Sequence, residues 1–332
     1  MQTTLPASLY GGPEAWARER AAVFSRAWLF LGHEGEAATA GDWIAADVAG
    51  HRLLAVRGRD GALRAFHNVC RHRAGPLVQG AAGHCDGELV CAYHGWRYAL
   101  DGRLRAATGF GAAAGFDPRE HGLLTVRLET WRGLVFVNLD SGASPLSSHV
   151  AVLDGLIAER GLEMAAPALR RSHDLACDWK VYAENYLEGY HIGSVHPVLA
   201  EELGSAEYRV RVDGELVVQE AVGVNDGPQA GVWAWLWPNL GINVYRDGAM
   251  IERMTPVGRG KTRLDDLFLN DDGAEALGGA LEASDRLTAE DAGICEAVQA
   301  NLSAGAYDTG VLSARHEAAV AWFQSRLAEV HG

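Results

Sequence analysis

The sequence predicts an α+β protein: an inserted all-β domain, then an antiparallel sheet closed by a long C-terminal helix. Two observations carry this. Between Asp42 and Asp140, short β-type runs are cut by Gly-rich or Asp-Gly turns, the texture of an all-β domain of roughly a hundred residues. From Glu207 to Asn270 strand patterns dominate again, and helical periodicity then runs to the end of the chain. With 332 residues, 48% of them hydrophobic and 22% charged, the chain can bury more than one core.

In chain order, residues 13–31 read as a helix with Pro13 in its first turn. Trp16, Arg20, Val23, Phe24 and Ala27 would share one face. The β segment then offers runs such as WIAADV, RLLAVRG and GLVFVNL, with Arg59-Asp60-Gly61-Ala62 and Leu100-Asp101-Gly102-Arg103 as hairpin turns. Ser141 to Ser148 is the best linker. Helices are expected over 149–160, 178–192, 285–304 and 312–330. The domain expectation is therefore 1–40 as an N-terminal helix packing on the second domain, 41–140 as the β domain, and 149–332 as the second domain.

Lys plus Arg number 29 and Asp plus Glu 43, a formal net charge of −14. Nucleic-acid binders normally carry a basic excess, so that class is disfavoured. The acidic surface biases the chain toward a cationic substrate or a basic partner. Five cysteines are too few and too odd for a disulfide framework. The N-terminus lacks a basic start followed by an apolar run. No stretch approaches the ~18 apolar residues of a membrane span. A cytoplasmic protein without membrane or nucleic-acid partners is expected, in which cysteines bind metal or catalyse more often than they pair.

Cys70-Arg-His72 and Cys91-Ala-Tyr-His94 are separated by eighteen residues. Thiolates with imidazoles at this spacing suit zinc or an iron–sulfur centre. A [2Fe–2S] cluster with two His in place of two Cys on one iron takes one Cys and one His from each pair. The flanking residues, Arg73-Ala-Gly-Pro-Leu77 after one pair and Gly95-Trp-Arg-Tyr98 after the other, closely resemble the cluster-binding loops of the Rieske family. Cys85, between the pairs, reads as a packing cysteine.

A second constellation lies in Asp178–Pro197, DWKVYAENYLEGYHIGSVHP. Glu184, Glu188 and His191 are helically spaced, Asn185 lies on the adjoining edge, and His196 follows His191 by five residues. A helix ending near Gly193 could fold His196 back beside His191. Two such His need a third ligand for the two-His-one-carboxylate site of a non-haem Fe(II) oxygenase. In the late helix, Asp291 falls in a stripe with Leu287, Ile294, Cys295, Val298 and Leu302. A carboxylate inside an apolar stripe needs a metal, a cation or a proton. Asp285, Glu290 and Glu296 fall off that stripe and call for no explanation.

From about Trp28 to Phe323, the chain resembles the oxygenase (α) subunit of the ring-hydroxylating Rieske non-haem iron oxygenases. The resemblance implies a helix-grip fold for the second domain and a [2Fe–2S] cluster on Cys70, His72, Cys91 and His94. It implies mononuclear Fe(II) on His191, His196 and Asp291, with O2 as cosubstrate. Glu188 matches the acid that links one subunit's cluster to the next subunit's iron in a cyclic homotrimer, although many members carry Asp there; Asn185 belongs to the same motif. Arg71 and Ala74 depart mildly from the usual cluster loop. No flavin or nicotinamide motif is present, so NAD(P)H would act only through a separate reductase, with or without a ferredoxin.

The activity this implies is monooxygenation of a small organic substrate, by hydroxylation or oxidative N-demethylation, with quaternary ammonium compounds among the candidates. Trp233, Trp235 and Trp237 alternate along one strand and share a face. They could line the pocket, because an indole face attracts a quaternary ammonium; core packing is their other reading. Competing classes are a cis-dihydroxylating arene dioxygenase, a Rieske electron carrier and a zinc-stapled ligand-binding protein.

Overall fold

The computed structural model describes residues 2–111, 115–204, 207–222 and 231–332. The last residue of the strand run read over 207–223 lies outside the described residues. Two compact units emerge: residues 25–146, and residues 1–24 together with 147–332.

The first unit holds β1 (Leu29–His33), β2 (Asp42–Val48), β3 (His51–Arg57), β4 (Leu63–His67), β5 (Ala82–His84), β6 (Glu88–Val90), β7 (Arg97–Ala99), β8 (Leu104–Ala106), β9 (Thr125–Trp131) and β10 (Leu134–Asn138). Seven form one sheet, in the order β1-β10-β9-β4-β3-β2-β5, and β6-β7-β8 form a second, smaller one. The two hairpin turns expected at 59–62 and 100–103 join β3 to β4 and β7 to β8. Trp43, Leu54, Phe66, Trp96 and Tyr98 build the core, and Cys70 and Cys91 belong to it.

The helix expected over 13–31 is much shorter. It comprises α1 (Pro13–Glu19) and a π-helical turn, Arg20–Phe24. Leu29–Leu31 instead enter β1, which pairs with β10 through Leu29↔Val137 and Phe30↔Phe136. An apolar run such as Trp-Leu-Phe-Leu suits a buried helix or a buried strand equally, and only its partner decides. Residues 25–40 therefore lie in the β unit. The inward face of the helical segment is Ala15, Glu19, Val23 and Phe24, with Arg20 exposed, because the π turn shifts the helical phase.

The second unit holds α2 (Leu146–Glu159), β11 (Pro167–Leu175), α3 (Trp179–Tyr186), α4 (Ile192–Val195), α5 (Pro197–Leu203), β12 (Glu207–Asp213), β13 (Leu216–Val222), β14 (Val232–Leu236), β15 (Leu240–Tyr245), β16 (Gly248–Gly258), β17 (Lys261–Leu269), α6 (Gly278–Ser303) and α7 (Ala318–His331). The strands form one antiparallel sheet in the order β11-β17-β16-β15-β14-β13-β12, a meander with β11 returned to its edge. Helix α3 lies against both α6 and β16, which is the helix-grip arrangement. No helix among the described residues is long and apolar enough to cross a membrane.

A buried charge knot ties α1, α3 and α7 together. Lys180 Nζ lies 2.8 Å from Glu19 Oε1 and 2.7 Å from Asp178 Oδ1. Glu19 also accepts from Trp179 Nε1 at 2.8 Å and meets His331 Nε2 at 3.0 Å. Burial alone would lower the Lys180 ammonium, but Asp178 and Glu19 outweigh it and hold the pKa above its ordinary value. Removing one partner of such a group typically costs about 3–5 kcal/mol.

Candidate active site

The two Cys/His loops are built alike. After β4, the Cys70 N–H donates to Gly75 O at 2.8 Å and the Ala74 N–H to Cys70 O at 3.1 Å. After β6, the Cys91 N–H donates to Trp96 O and the Gly95 N–H to Cys91 O, both at 2.9 Å. The fourth residue after each cysteine has positive φ: +56° at Ala74 and +69° at Gly95. Both cysteines are buried, and their histidines reach toward the surface. The Nδ1 atoms of His72 and His94 face each other at 3.1 Å, and the indole of Trp96 stacks on His72 with rings 4.9 Å apart and 7° from parallel.

Tyr98 Oη lies 3.2 Å from Cys70 Sγ and accepts the Arg71 N–H at 3.0 Å. Gly75 has no room for a side chain, since a Cβ there would sit 2.8 Å from Cys91 Sγ. Burial and the neighbouring Cys70 push the Cys91 thiol up, a cost that iron coordination of the thiolate removes. Two buried thiols and two convergent imidazole nitrogens fit a [2Fe–2S] cluster with mixed ligation. Cys85 stands apart, donating to Gly41 O at 3.2 Å.

The second constellation does not lie on one helix. The helix expected over 178–192 ends at Tyr186, with Leu187 as its cap. Glu188 and Gly189 lie in the loop that follows, His191 caps α4, and His196 stands between α4 and the Pro197 that opens α5. Pro197 disfavours helical backbone at His196, and this break turns the imidazole back. Gly189 allows the loop to close on the sheet, since a Cβ there would be 2.5 Å from the Tyr208 ring. Glu184 leaves the site altogether. It is half-buried, and its Oε1 accepts from Tyr10 Oη at 2.7 Å and Gln324 Nε2 at 2.9 Å.

His191, His196 and Asp291 each bring one ligand atom to a common point, all within 4.8 Å of one another. His196 Nε2 lies 3.0 Å and His191 Nε2 3.7 Å from Asp291 Oδ1. Asn185 Nδ2 donates to the same oxygen at 2.6 Å. Both outer nitrogens are held by carboxylates: His191 Nδ1 by Glu188 Oε1 and His196 Nδ1 by Glu290 Oε2, each at 2.7 Å. A carboxylate on Nδ1 leaves Nε2 free for a metal and fixes the ring's orientation. Burial would lower His196, but the bonds to Asp291 and Glu290 outweigh it and raise its pKa. Two imidazoles and one carboxylate, oriented in this way, fit mononuclear iron with coordination positions left over.

Glu290 is therefore not the idle acid expected, and Glu296 accepts the Ala176 N–H at 2.8 Å. The stripe drawn along α6 is also rotated. Ile294 and Val298 are 41% and 39% exposed, while Thr288, Cys295 and Gln299 face inward. Asp291 sits on the border of that inward face, where Glu290 can reach His196. The only sequence signal for Glu290 is its adjacency to Asp291.

The three tryptophans part company. Trp235 is buried against Tyr186 and Phe323, with ring centroids 5.4 and 6.1 Å away. Trp237 is buried against Trp322 and Phe323 at 6.0 and 5.6 Å. Both are core packing. Trp233 alone is half-exposed, and its Nε1 donates to Tyr245 Oη at 3.0 Å. A separate cavity of about 190 Å³, lined by residues including Trp16, Glu19, Asp178 and Trp179, adjoins the charge knot and contains none of these site residues.

Residues 27–117 match the Rieske [2Fe-2S] domain and residues 162–332 the ring hydroxylating alpha subunit (catalytic domain). The carnitine monooxygenase oxygenase subunit of Escherichia coli (strain K12) is 32% identical over 255 residues, 73% of this chain and 67% of its own length. The chloroplastic choline monooxygenase of Arabidopsis thaliana is 29% identical over 333 residues, covering 93% of this chain and 78% of that protein. A solved quaternary ammonium Rieske monooxygenase, described for carnitine oxidation and inter-subunit electron transfer, superposes with a TM-score of 0.87 at 25% identity. That superposition covers 99% of this chain and 96% of the other.

Proposed function

The chain belongs to the ring-hydroxylating oxygenase α-subunit family, and from that premise we propose that it monooxygenates a small quaternary ammonium compound at an iron held by His191, His196 and Asp291. Family membership makes the protein a Rieske-type oxidoreductase with a [2Fe–2S] cluster and a mononuclear iron, working with O2 as part of a multicomponent system. It removes the zinc-stapled binder and the free-standing electron carrier from consideration. The observation that carries the residue assignment is the convergence of two Nε2 atoms on one carboxylate oxygen, each imidazole backed by its own glutamate. The substrate class is supported by relatives named for carnitine and choline.

When bound, the cluster and the iron supply electron transfer and O2 activation. The chain's own residues do the rest. Glu188 and Glu290 hold the Nδ1 protons of His191 and His196, so that both rings present Nε2. Asn185 fixes the Asp291 carboxylate through Oδ1. Tyr98 and the loop amides stabilise the thiolates of the cluster pair in a buried setting. His72 and His94, at the surface edge, would be the electron exit. Electrons would come from NAD(P)H through a separate reductase. In a cyclic homotrimer, Glu188 would connect His191 to the adjoining subunit's His72 or His94, as inter-subunit transfer in the solved relative supports. The chemistry favoured is hydroxylation at or beside an N-methyl group, with oxidative N-demethylation releasing formaldehyde.

Anaerobically purified protein should contain sulfide, a reduced Rieske EPR signal and iron in excess of the cluster. Asp291→Ala should keep sulfide and signal but lose the excess iron, and activity should fall by more than about a hundredfold. Loss of the cluster signal in that variant would refute the assignment of separate sites. Cys91→Ala should do the reverse. Co-refolded mixtures of the two variants should regain turnover if electrons cross between subunits, and stay inactive if they do not. A quaternary ammonium substrate yielding hydroxylated product or formaldehyde supports monooxygenation; arene turnover to a cis-diol would replace it.

A further inference from the structure

The register of the sheet in the second unit gathers a set of side chains beside the proposed iron site. Trp233 is paired with Asn243, Gly241 with Glu252, and Glu252 with Asp266. Directly paired residues share a face, and alternation along β15 adds Tyr245 to it. The face is turned to α3, because a Cβ at Gly241 would lie 3.0 Å from the Tyr186 ring. Tyr186 Oη donates to Asn243 Oδ1 and Asn243 Nδ2 donates to Glu252 Oε2, both at 2.5 Å. Tyr208 comes in from the edge and touches the loop at Gly189, two residues before His191.

The burial pattern divides this set. Trp233, Tyr245, Tyr186 and Tyr208 are half-exposed, while Asn243, Glu252 and Asp266 are buried. Open aromatic surface on β12, β14, β15 and α3 thus adjoins a buried carboxylate pair on β16 and β17. Asp266 Oδ1 has no hydrogen-bond partner among the described residues. No Lys or Arg forms an ion pair with Glu252 among them either. Along β12 to β17 the shared face carries no basic side chain. On the outer strand β11, Arg171 stands opposite Asp266 but is exposed, and His173 shares that face with its Nε2 3.5 Å from Asp266 Oδ2. Lys180 is occupied by Glu19 and Asp178. The stretches 205–206 and 223–230 contain no Lys or Arg.

We propose that the substrate is a carboxylate-free ammonium cation, an amino alcohol or alkylamine, with its N-methyl head against Trp233, Tyr245, Tyr186 and Tyr208 and Glu252 as its counter-ion. This rests on the ammonium-oxygenase reading and narrows it. A quaternary nitrogen cannot donate a hydrogen bond, so it is held by π faces and by diffuse negative charge. A zwitterion brings the same head together with a carboxylate. That carboxylate would come beside the buried Glu252 with no Lys or Arg on the shared face of β12 to β17 to receive it, an arrangement that selects against it. Burial pushes the Glu252 carboxyl up to about 8, with Asp266 adding to the shift, and an incoming cation offsets that cost.

The test is calorimetric binding to the full-length anaerobic holoprotein, using choline, glycine betaine and the uncharged isostere 3,3-dimethylbutan-1-ol. Choline should bind at least about tenfold more tightly than glycine betaine. Glu252→Gln should weaken choline by about tenfold and leave the isostere unchanged. Trp233→Leu, in a strand position that does not touch the carboxylate pair, should weaken choline more than the isostere. Cluster absorbance reports the folding of each variant. Glycine betaine binding as tightly as choline, or choline affinity unmoved in both variants, overturns the charge assignment alone. Failure of both ammonium compounds to bind while the isostere binds overturns the ammonium reading beneath it.

Discussion

The loops at Cys70–His72 and Cys91–His94 each close on themselves through backbone hydrogen bonds, whereas His191, His196 and Asp291 meet only because a sheet, a broken helix and a long helix bring them together. The cluster pair sits in an apolar core of Trp43, Leu54, Phe66 and Trp96. The proposed iron site sits among half-buried acids and tyrosines, and both of its imidazoles are backed by a carboxylate. A local site tolerates a plain surrounding because the loops define the ligand geometry. A nonlocal site needs supporting groups, and those groups titrate.

The largest expected effect exploits that difference in titration. Burial pushes the Glu184 carboxyl up to about 7, although the bonds from Tyr10 and Gln324 pull the other way. The fold therefore favours the protonated acid. Its stability contribution is full below the ordinary value of 4.5 and is lost as pH rises from there through about 7. The loss amounts to something on the order of 3 kcal/mol. Glu184→Gln should flatten the pH dependence of the second unit's denaturant midpoint between about pH 5 and 7. Cluster bleaching, which reports the first unit, should change little with pH in either protein. A wild-type curve already flat in that range would show that Glu184 is not protonated.

This contrast also explains what could be read from the chain. The proposed cluster ligands stand out because each pair lies within four residues and its flanks belong to the same loop. The strands of both sheets were legible as short apolar β-type runs between turns, as in β2, β3 and β15. His191 and His196 were legible as a pair, but not the break between them, which depends on Pro197 acting on the residue before it and on Gly189 meeting Tyr208 across the unit. Glu290 was invisible because its partner is more than ninety residues away. The strand at Leu29–His33 was mistaken for helix because its β10 partner is equally remote. The Trp233, Trp235 and Trp237 alternation predicted a shared face but not that α7 covers two of the three.

A smaller effect separates the two carboxylates behind the iron site. Glu290→Gln should weaken iron binding by about ten- to a hundredfold, because the amide can no longer fix the His196 tautomer as a carboxylate does. The cluster content should be unaffected. Glu188→Gln should produce a loss of similar size in iron affinity, and a further loss in turnover if Glu188 also carries the link to an adjoining subunit. Iron titration against a chelator, read beside single-turnover rates, distinguishes the two. Equal iron affinity in wild type and Glu290→Gln would reduce Glu290 to a surface acid.

The smallest effect lies in the cluster loops, where near-identical geometry makes a controlled comparison. Position four after each cysteine is left-handed, occupied by Gly95 in one loop and Ala74 in the other. A Cβ in that conformation costs roughly 1–2 kcal/mol, while glycine gives back about 0.4–1 kcal/mol through the freer unfolded chain. Ala74→Gly should therefore stabilise the first unit by about 0.5–1 kcal/mol, and Gly95→Ala should destabilise it by a similar amount. Space does not decide the second case, because the nearest atom to a Cβ at Gly95 is Thr108 Cβ at 3.8 Å. Loss of cluster absorbance against denaturant measures both. Opposite shifts place the strain in the backbone. If Ala74→Gly lowers the midpoint, the Ala74 methyl group has a packing role that outweighs its conformational cost.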